Sequence, residues 1–556
     1  MTFKQKNAPD SFTQHYMQHL DGTYDCVDRI VLNAYFILGQ TGGGFRTWWR
    51  RLMGDDEHLD NTHLMRFAGR FSRRIRASTQ KNNIPLIHCK SNERKHEIVQ
   101  QYAPKDPLFQ GVFCIFVNRA PASVVEVKRF DNGHIDIRRK QPYPYVNHYS
   151  FHIMDPDWGH VTIRLCPHPP FNAQIILNGH EYVARQAIKK GIGFIKEGNC
   201  FTQVSDAAGL ARIADTMRAK GSVGRMVQVC QRWIYSACLC FALTGDEQTK
   251  SGFGYSFSVY QAEYSRNLIF TRGQTMTQLF DSIIDRTRAP LNIKTIKTIF
   301  GYKHRPFYKD RQGKRPRIEV VVERPAYDLT IFKIHFVKLT VKIYSKGERV
   351  LRTEAIAHNT KDLRCRRKID QFAEITNSLK AILERFVGVL NCIDVCFIDD
   401  QTLDTWPRGS MLGATRVAGI DINNARIRIV MQAVIALSVK PNGFSASELA
   451  DKVRKIMGDL DISYQARQAS YDLKKFRAKA LVRKIENSRR YEATKKGLRQ
   501  ITAFCVLREK ILIPLLASGG KRKTGPKPKN RCKLDIHYDN IQIEMQHIFN
   551  ELKLAA

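Results

Sequence analysis

The stretch Ser463–Gly497, SYQARQASYDLKKFRAKALVRKIENSRRYEATKKG, decides how the C-terminal part of this chain is expected to fold. In its first half, apolar residues recur every three or four positions, which predicts one amphipathic helix over residues 463–479. In its second half, Leu481–Ile485 and Arg490–Thr494 flank a polar turn, which predicts a two-stranded hairpin. The apolar positions of the helix are Ala466, Ala469, Leu473 and Phe476.

Two further helical patterns precede this stretch. One runs from Asn424 to Leu437, and the next begins with Ser445-Ala-Ser-Glu448. This is a capping box, in which the serine oxygen and the glutamate carboxylate satisfy the first unpaired N–H groups of a helix. Another helix is expected to open at Gly497. The order of three helices, a hairpin and a fourth helix predicts a separate domain over residues 418–515.

This order of elements resembles the winged helix-turn-helix of the MarR and ArsR regulator superfamilies. The wing in these families commonly reads as a Leu-Ile strand, a basic turn, and then Tyr-x-Leu-Thr-x-x-Gly. The resemblance implies that the third helix enters the major groove of DNA and that the wing reaches phosphate or the minor groove. The residues that correspond to the wing pattern here are Leu481, Val482, Tyr491, Thr494 and Gly497.

The third helix and the wing would then supply the nucleic-acid-binding side chains. Arginine and glutamine can make paired hydrogen bonds to guanine and adenine edges, and Arg489 and Arg490 belong to the wing. The alternative is a winged helix that only contacts protein. The exposed face of the third helix is predicted to carry Tyr464, Gln465, Arg467, Gln468, Tyr471 and Lys474.

The composition agrees with a polyanionic partner. The chain has 90 Lys and Arg against 52 Asp and Glu, a formal net charge of +38, and 43% hydrophobic residues. Such a composition excludes a mostly disordered polycation, and a folded protein this basic attracts nucleic acid or an anionic membrane surface. The longest apolar run, Trp233–Leu243, is shorter than the roughly 20 residues that span a bilayer. We therefore predict a nucleic-acid partner, duplex DNA or structured RNA, and no membrane.

Cysteine usage and the N-terminus favour the cytoplasm. The 13 cysteines include no CxxC pair, so we expect neither a disulfide framework nor a zinc ligand set, and free thiols fit a reducing compartment. The N-terminal residues MTFKQKNAPD have no apolar core, and we expect no signal peptide.

We expect an α+β fold of several domains, with a central mixed or antiparallel sheet region followed by the winged helix. Tyr149–Met154 and Val161–Cys166 flank the turn Asp155–Gly159 and predict a hairpin. Residues 331–356 predict two or three further strands, and an apolar repeat over residues 369–390 predicts a helix. The predicted domains are a mixed helical domain (1–135), an α+β domain (136–300), a hairpin with an amphipathic helix (301–410), the winged helix (418–515), and a basic linker with a terminal helix (516–556).

The predicted strands between residues 331 and 356 carry a set of chemically active side chains. Because alternate residues of a strand share a face, Lys342, Tyr344 and Lys346 line up. Arg352 and Glu354 return on the partner strand. Lysines can depress the pKa of a phenol and bind phosphate, and a glutamate can hold a divalent cation. These residue types suit phosphodiester transfer, whereas an amphipathic edge hairpin with ordinary cross-strand pairs is the alternative.

The pattern is similar to the I-Y-x-K-x-x-E … R-x-E hairpin of rolling-circle replication initiators of plasmids and filamentous phages. The resemblance implies that Tyr344 is the nucleophile that nicks one DNA strand and that Lys346 and Arg352 hold the phosphate. Glu354 would bind Mg²⁺ or Mn²⁺. Apart from the resemblance, His335 lies nearby in the sequence and is a second candidate metal ligand. A paired His-hydrophobic-His motif, frequent in related nickases, is missing here, since the segment around His335 supplies a single histidine.

Several short motifs are spread along the rest of the chain. They are Asn178-Gly-x-Glu-x-x-Ala-Arg185, Asn199-Cys-Phe201 and Ser258-Val-x-Gln-x-Glu263. Together with the Tyr344–Glu354 hairpin and the winged helix, they resemble a group of uncharacterised bacterial open reading frames over residues 20–510. Such genes tend to look like mobile-element cargo, but the resemblance carries no activity, and the first two motifs have no assigned chemistry.

These features lead to the hypothesis of a nucleic-acid-binding and processing protein of a mobile element or replicon. It would recognise DNA through the winged helix and act as a metal-dependent tyrosine nickase or strand transferase. The alternative is a non-catalytic protein, either a DNA-binding regulator or an RNA-binding partner of a structured noncoding RNA.

Overall fold

The computed structural model of the chain divides it into two compact units. The central unit comprises Asp21–Ile269 and Glu354–Leu379, and the terminal unit comprises Met1–Leu20, Phe270–Thr353 and Lys380–Ala556. The structure describes residues 10–90, 93, 95–106, 108–219, 221–287, 331–336, 339–363, 365–394, 400–440, 442–457, 464–508, 512, 536–541, 543–544 and 547.

The helices and strands of the described residues are numbered in chain order. The helices are α1 Ser11–Tyr16, α2 Gly42–Met53, α3 Asn61–Lys81, α4 Lys95–Tyr102, α5 Gly179–Lys189, α6 Ala207–Asp215, α7 Ser222–Trp233, α8 Gly245–Ser251, α9 Gly273–Thr287, α10 Phe372–Asp394, α11 Asp400–Thr405, α12 Ala425–Leu437, α13 Ala446–Met457, α14 Ala466–Ala478 and α15 Lys495–Leu507. The strands are β1 Leu20–Phe36, β2 Leu86–His88, β3 Gly111–Pro121, β4 Val125–Arg129, β5 Ile135–Arg139, β6 Tyr145–Asp155, β7 Gly159–Leu165, β8 Ala173–Asn178, β9 Phe194–Lys196, β10 Phe201–Val204, β11 Tyr255–Phe270, β12 Ile331–Phe336, β13 Leu339–Lys346, β14 Val350–Ala357, β15 Ser410–Leu412, β16 Thr415–Val417, β17 Phe444–Ser445, β18 Val482–Lys484 and β19 Arg490–Ala493.

A large mixed sheet organises the central unit, with the strand order β11-β1-β8-β7-β6-β3-β2. The pairs β1–β8, β8–β7, β7–β6 and β6–β3 are antiparallel, and β2 pairs with β3 in parallel. The predicted α+β class with a mixed sheet is therefore confirmed. So is the predicted hairpin, since β6 and β7 pair with Tyr149 opposite Leu165.

Helix α3 covers part of this sheet with its apolar stripe. It begins where Asp60 accepts the N–H of His63 at 2.8 Å, and its side chains at three- and four-residue intervals are buried. The ring of Phe71 lies 4.7 Å from that of Tyr149 on β6. The buried residues of α3 are Leu64, Phe67, Phe71, Ile75 and Thr79, while Arg66, Arg73 and Arg76 are exposed.

The turn between β6 and β7 anchors helix α7 through one buried carboxylate. Asp155 is fully buried, and its Oδ2 accepts hydrogen bonds from Arg232 and from the Trp233 indole, both at 2.7 Å. Its Oδ1 accepts the backbone N–H of Trp158 at 2.9 Å. A buried carboxylate needs this many donors, because an unpaired buried charge is costly.

Helix α5 starts at a very close approach to strand β1. Asn178 caps the helix by accepting the N–H of His180 at 3.0 Å. A Cβ atom added to Gly179 would lie 1.7 Å from the carbonyl oxygen of Val27. This position therefore accepts only glycine, which explains the Asn-Gly of the first short motif in structural terms.

The terminal unit contains an antiparallel ladder and a helical core. Strands β12 and β13 pair with Lys333 opposite Lys342, and β14 follows a turn in which Gly347 has φ +63°. The predicted strands in this region are thus confirmed. Helices α12 to α15 surround a three-stranded sheet of order β17-β19-β18. Their core includes Ile427, Val430, Leu449, Val453, Leu473, Phe476, Leu481 and Phe504, together with Trp406.

The two units do not coincide with the five predicted domains. The predicted boundary at 135/136 lies inside β5, and both units are made of segments that are separate in the sequence. Residues 301–330, at the start of the third predicted domain, and residues 516–535, the predicted basic linker, lie outside the described residues.

We expect Gly179→Ala to lower the free energy of unfolding by about 1–3 kcal/mol or more, because the methyl group collides with backbone that cannot rotate away. The matched control is Gly224→Ala in α7, where an added Cβ meets nothing within 4 Å. That change should be neutral or stabilising by up to about 1 kcal/mol. Denaturant unfolding of both variants measures the difference, and equal stabilities would contradict the close approach.

Candidate nucleic-acid interface and a buried polar cluster

The described residues between 425 and 507 contain the predicted helices and the predicted hairpin. Asn424 caps α12 by accepting the N–H of Arg426 at 2.9 Å. The capping box of α13 forms in both directions, with Ser445 N–H donating to Glu448 at 2.8 Å and Glu448 N–H donating to the Ser445 hydroxyl at 3.2 Å. Strands β18 and β19 pair with Val482 opposite Ala493.

The inner side of α14 is held by a buried carboxylate. Asp472 accepts the hydroxyl of Tyr464 at 2.8 Å and the guanidinium of Arg426 at 3.3 Å. Burial raises the pKa of the Asp472 carboxyl, and its contacts with Tyr464 and Arg426 lower it in part. Burial and the neighbouring Asp472 charge likewise raise the pKa of the Tyr464 phenol.

The prediction that Tyr464 lies on the exposed face is wrong, because its side chain is only 2% exposed. The helix begins at Ala466, later than the apolar repeat indicates, and Gln465 is its N-cap. Tyr464 therefore precedes the helix, and its ring turns into the core beside Asp472.

The outer side of α14 carries the other predicted side chains. Gln465, Arg467 and Tyr471 are exposed, and Lys474 is half-buried. Tyr471 is an exposed aromatic residue, 50% accessible to solvent, and the ammonium of Lys475 lies 4.9 Å from its ring centroid. Together these residues place cations, a glutamine amide and an aromatic ring along α14 and at its N-cap.

The predicted contact residues Gln468 and Arg490 are engaged in hydrogen bonds within the domain. Gln468 accepts the backbone N–H of Gln465 at 2.8 Å, which closes the start of α14. Arg490 donates to the carbonyl oxygens of Asn442 and Gly443, both at 2.6 Å, and to Glu448 at 3.0 Å. Arg490 thus fastens the hairpin to the start of α13, and its side chain is 21% exposed.

The turn and edges of the hairpin keep exposed charge. Arg489 is exposed in the turn, and Arg483 is 72% exposed and pairs with Glu492 at 2.6 Å. Further exposed cations follow along the hairpin and α15. They are Lys484, Lys495, Lys496 and Arg499.

The predicted catalytic hairpin is buried in this structure. Tyr344 is 8% exposed, Arg352 is fully buried and Glu354 is 2% exposed. The ammonium of Lys342 lies 4.8 Å from the Tyr344 ring centroid, and Lys346 is half-buried at the end of β13. Arg352 belongs to the terminal unit and Glu354 to the central unit.

The proposed metal ligand His335 is described only through its backbone, which pairs with Thr340. A nucleophile must be reached by the phosphate that it attacks. The burial of the phenol therefore gives no support to a nicking reaction at this hairpin.

We expect no covalent adduct when the protein is incubated with single-stranded DNA and Mg²⁺ or Mn²⁺. Denaturing gels and mass spectrometry would detect a 5′-phosphotyrosyl link, with Tyr344→Phe as the matched control. An adduct that forms with the natural chain and disappears in Tyr344→Phe would contradict the expectation and restore the nickase hypothesis.

The two motifs without an assigned chemistry meet inside the central unit. His180 of the first motif lies against β1, with Nδ1 2.5 Å from Asp28 Oδ1 and Nε2 3.3 Å from the Tyr24 hydroxyl. The backbone N–H of Phe201, from the second motif, donates to the same hydroxyl at 3.0 Å. With Cys26, which also lies on β1, Asp28 and His180 offer metal-ligating atoms that all lie within 4.8 Å of one another.

Sequence reasoning missed this cluster, here named the Cys26–Asp28–His180 cluster. Tyr24 and His180 are 156 residues apart in the chain, and neither β1 nor the start of α5 has a recognised ligand spacing. One sequence pattern points to part of the cluster: Tyr24, Cys26 and Asp28 are alternate residues and therefore share one face of a strand.

No protein-family model, curated protein or solved structure matches this chain. Among the described residues no single helix is both long and apolar enough to cross a membrane. The bent pair formed by residues 222–241 and α8 reaches that length and composition jointly, with an angle of 104° between its parts.

The helical core beneath the interface contains a lysine whose charge is disfavoured. Lys452 on α13 is 7% exposed, and burial, with a smaller effect of Lys455, lowers its pKa to about 7. Between that value and its ordinary pKa of 10.5, the unfolded chain binds more protons than the folded one. Stability should therefore rise as the pH rises through this range.

We expect Lys452→Met to raise the melting temperature most at pH 7 and below, where the natural lysine must be charged or lose its proton on folding. The gain should shrink towards pH 10. Thermal unfolding of the variant and of Lys496→Met, which alters an exposed lysine, measures the effect. A gain for Lys452→Met that does not vary with pH would contradict a depressed pKa.

Proposed function

We propose that this protein binds duplex DNA through a C-terminal winged helix formed by residues 425–507. The observation that carries the proposal is the order α12-β17-α13-α14-β18-β19-α15, with β17, β19 and β18 in one small sheet. In a winged helix the third helix, here α14, enters the major groove, and the hairpin after it acts as the wing. The cations on the outer side of α14 and in the turn of the hairpin support this placement.

The side chains on the outer side of α14 and in the turn of the hairpin divide into two roles. Gln465 and Arg467 lie at the N-terminal end of α14, the end from which recognition helices contact base edges, and both residue types pair with bases. Lys474 and Arg489 are suited to phosphate contacts, which position the protein without reading sequence. Tyr471 adds a planar surface for sugar or base contact.

Other side chains hold α14 and the hairpin, and with them the proposed DNA-contacting side chains, in position. Tyr464 and Asp472 fix the inner side of α14, and Gln468 closes its first turn. Arg490 ties the wing to α13 through Glu448, whose carboxyl pKa is lowered because Ser445, Lys440 and Arg490 together outweigh burial. Arg490 and Gln468, first expected to touch nucleic acid, therefore act in this proposal as positioning residues.

The protein would act in the cytoplasm. None of the described cysteines forms a disulfide, which supports action in a reducing cytoplasm. The net charge of +38 supports long-range attraction to a polyanion in addition to the local contacts. A role in a mobile element or replicon rests on the resemblance of the motifs alone.

The test compares two double variants of the full chain that lose the same number of positive charges. Arg467→Ala with Lys474→Ala alters the proposed interface, and Arg212→Ala with Lys250→Ala alters exposed residues of the central unit. Duplexes selected from a random library, labelled for fluorescence anisotropy, provide the ligand. We expect the interface variant to lose about tenfold or more in affinity, while the control variant binds like the natural chain.

The salt dependence of DNA affinity gives an independent measure of the number of phosphate contacts. Each lost phosphate contact should reduce the slope of log K against log salt by about 0.9, so the interface variant should show a shallower slope. Equal affinities and slopes for the two double variants would contradict the proposal. Tighter binding of a structured RNA than of any selected duplex would favour an RNA partner instead.

A further inference from the structure

We propose that the Cys26–Asp28–His180 cluster is a structural zinc site in the core of the central unit. It is separate from the proposed DNA interface and would hold its metal whether or not the protein binds nucleic acid. The sequence does not suggest such a site, because zinc sites are usually recognised from closely spaced Cys and His pairs.

The geometry fits a zinc ion after a small adjustment. Zinc lies about 2.3 Å from thiolate sulfur and 2.0–2.2 Å from imidazole nitrogen or carboxylate oxygen, so tetrahedral ligand atoms are about 3.2–3.8 Å apart. The three ligand atoms here all lie within 4.8 Å of one another. The Asp28 and His180 atoms, at 2.5 Å, would move apart by roughly 1 Å to admit the ion between them.

The donor set suits zinc in chemistry and in charge. Thiolate, imidazole and carboxylate are the side chains that zinc uses in proteins, and both oxygens of Asp28 could complete four donor atoms. A Zn²⁺ ion with one thiolate and one carboxylate has no net charge, which reduces the cost of burial. That balance matters because Cys26 and Asp28 are each 1% exposed and His180 is fully buried.

The surroundings of His180 provide the support that a metal-bound imidazole requires. With the metal on Nδ1, the ring proton stays on Nε2 and donates to the hydroxyl oxygen of Tyr24, 3.3 Å away. Ligating histidines almost always make such a bond, which fixes the ring and its tautomer. The Phe201 N–H holds the same hydroxyl, and the Phe201 ring stacks 5.7 Å from the imidazole.

The zinc site would join β1 to α5. It would give a structural role to both short motifs, Asn178–Arg185 and Asn199–Phe201. Gly179 lets α5 approach the backbone of Val27, which brings His180 to Asp28. The Phe201 ring stacks on the imidazole. Binding would release the Cys26 thiol proton to solvent, because the thiolate is the ligand, and no oxidation or reduction is involved.

The test measures metal in the full chain, produced in zinc-supplemented medium and purified without chelator or a histidine tag. We expect about one zinc per chain in the natural protein and in Cys230→Ser, which changes another fully buried cysteine of the same unit. Cys26→Ser and His180→Gln should contain little zinc. A natural protein without zinc, or equal zinc in Cys26→Ser and Cys230→Ser, would overturn the proposal.

A cobalt experiment keeps the proposal testable if a variant fails to fold. The natural chain, stripped of metal and reloaded with Co²⁺, should show thiolate-to-cobalt charge-transfer absorption. Asp28→Asn, which preserves the shape of the side chain, should weaken that absorption, and Cys230→Ser should leave it unchanged. Absence of the absorption in folded natural protein would mean that the cluster is a hydrogen-bonded Asp–His pair without metal.

Discussion

The close contact between the Gly179 backbone and the Val27 carbonyl group is the constraint on which the interior of the central unit depends. It brings α5 against β1, the strand that runs beside β8 in the mixed sheet. The approach places His180 next to Asp28, and it leaves Tyr24 to be held by both His180 and Phe201. The absence of a side chain at Gly179 thus determines the spacing of one helix, α5, and two strands, β1 and β10.

In the terminal unit, partly or fully buried carboxylates hold α14 and the hairpin in position. The carboxylates of Asp472 and Glu448 lie under α14 and the hairpin, and each receives an arginine, Arg426 and Arg490 respectively. These pairs are partly shielded from water, so removing the arginine would leave each carboxylate with fewer donors: Tyr464 for Asp472, and Ser445 and Lys440 for Glu448. The exposed cations, in contrast, lie on the outer surface.

The sequence predicts the positions of helices and strands well, but it predicts the burial and the partners of individual side chains less well. The apolar repeat identifies α14, and the alternation of residues identifies β13 and β14, because both patterns are local. Alternation shows which residues share a face but not whether another part of the chain covers that face. The sequence therefore predicts Tyr344, Arg352 and Glu354 as site residues but does not predict that they are buried. Arg490 and His180 depend on partners 42 and 152 residues away, which no local pattern reveals.

The division into units has a consequence for the order in which the protein can be made. The chain passes between the units four times, after Leu20, Ile269, Thr353 and Leu379. Chains leave the ribosome from the N-terminus, so α1 emerges before the central unit but belongs to a unit whose helical core is synthesised after it. The central unit can gather most of its sheet before then. The surface formed by α14 and the hairpin is therefore completed only after most of the central unit has been synthesised.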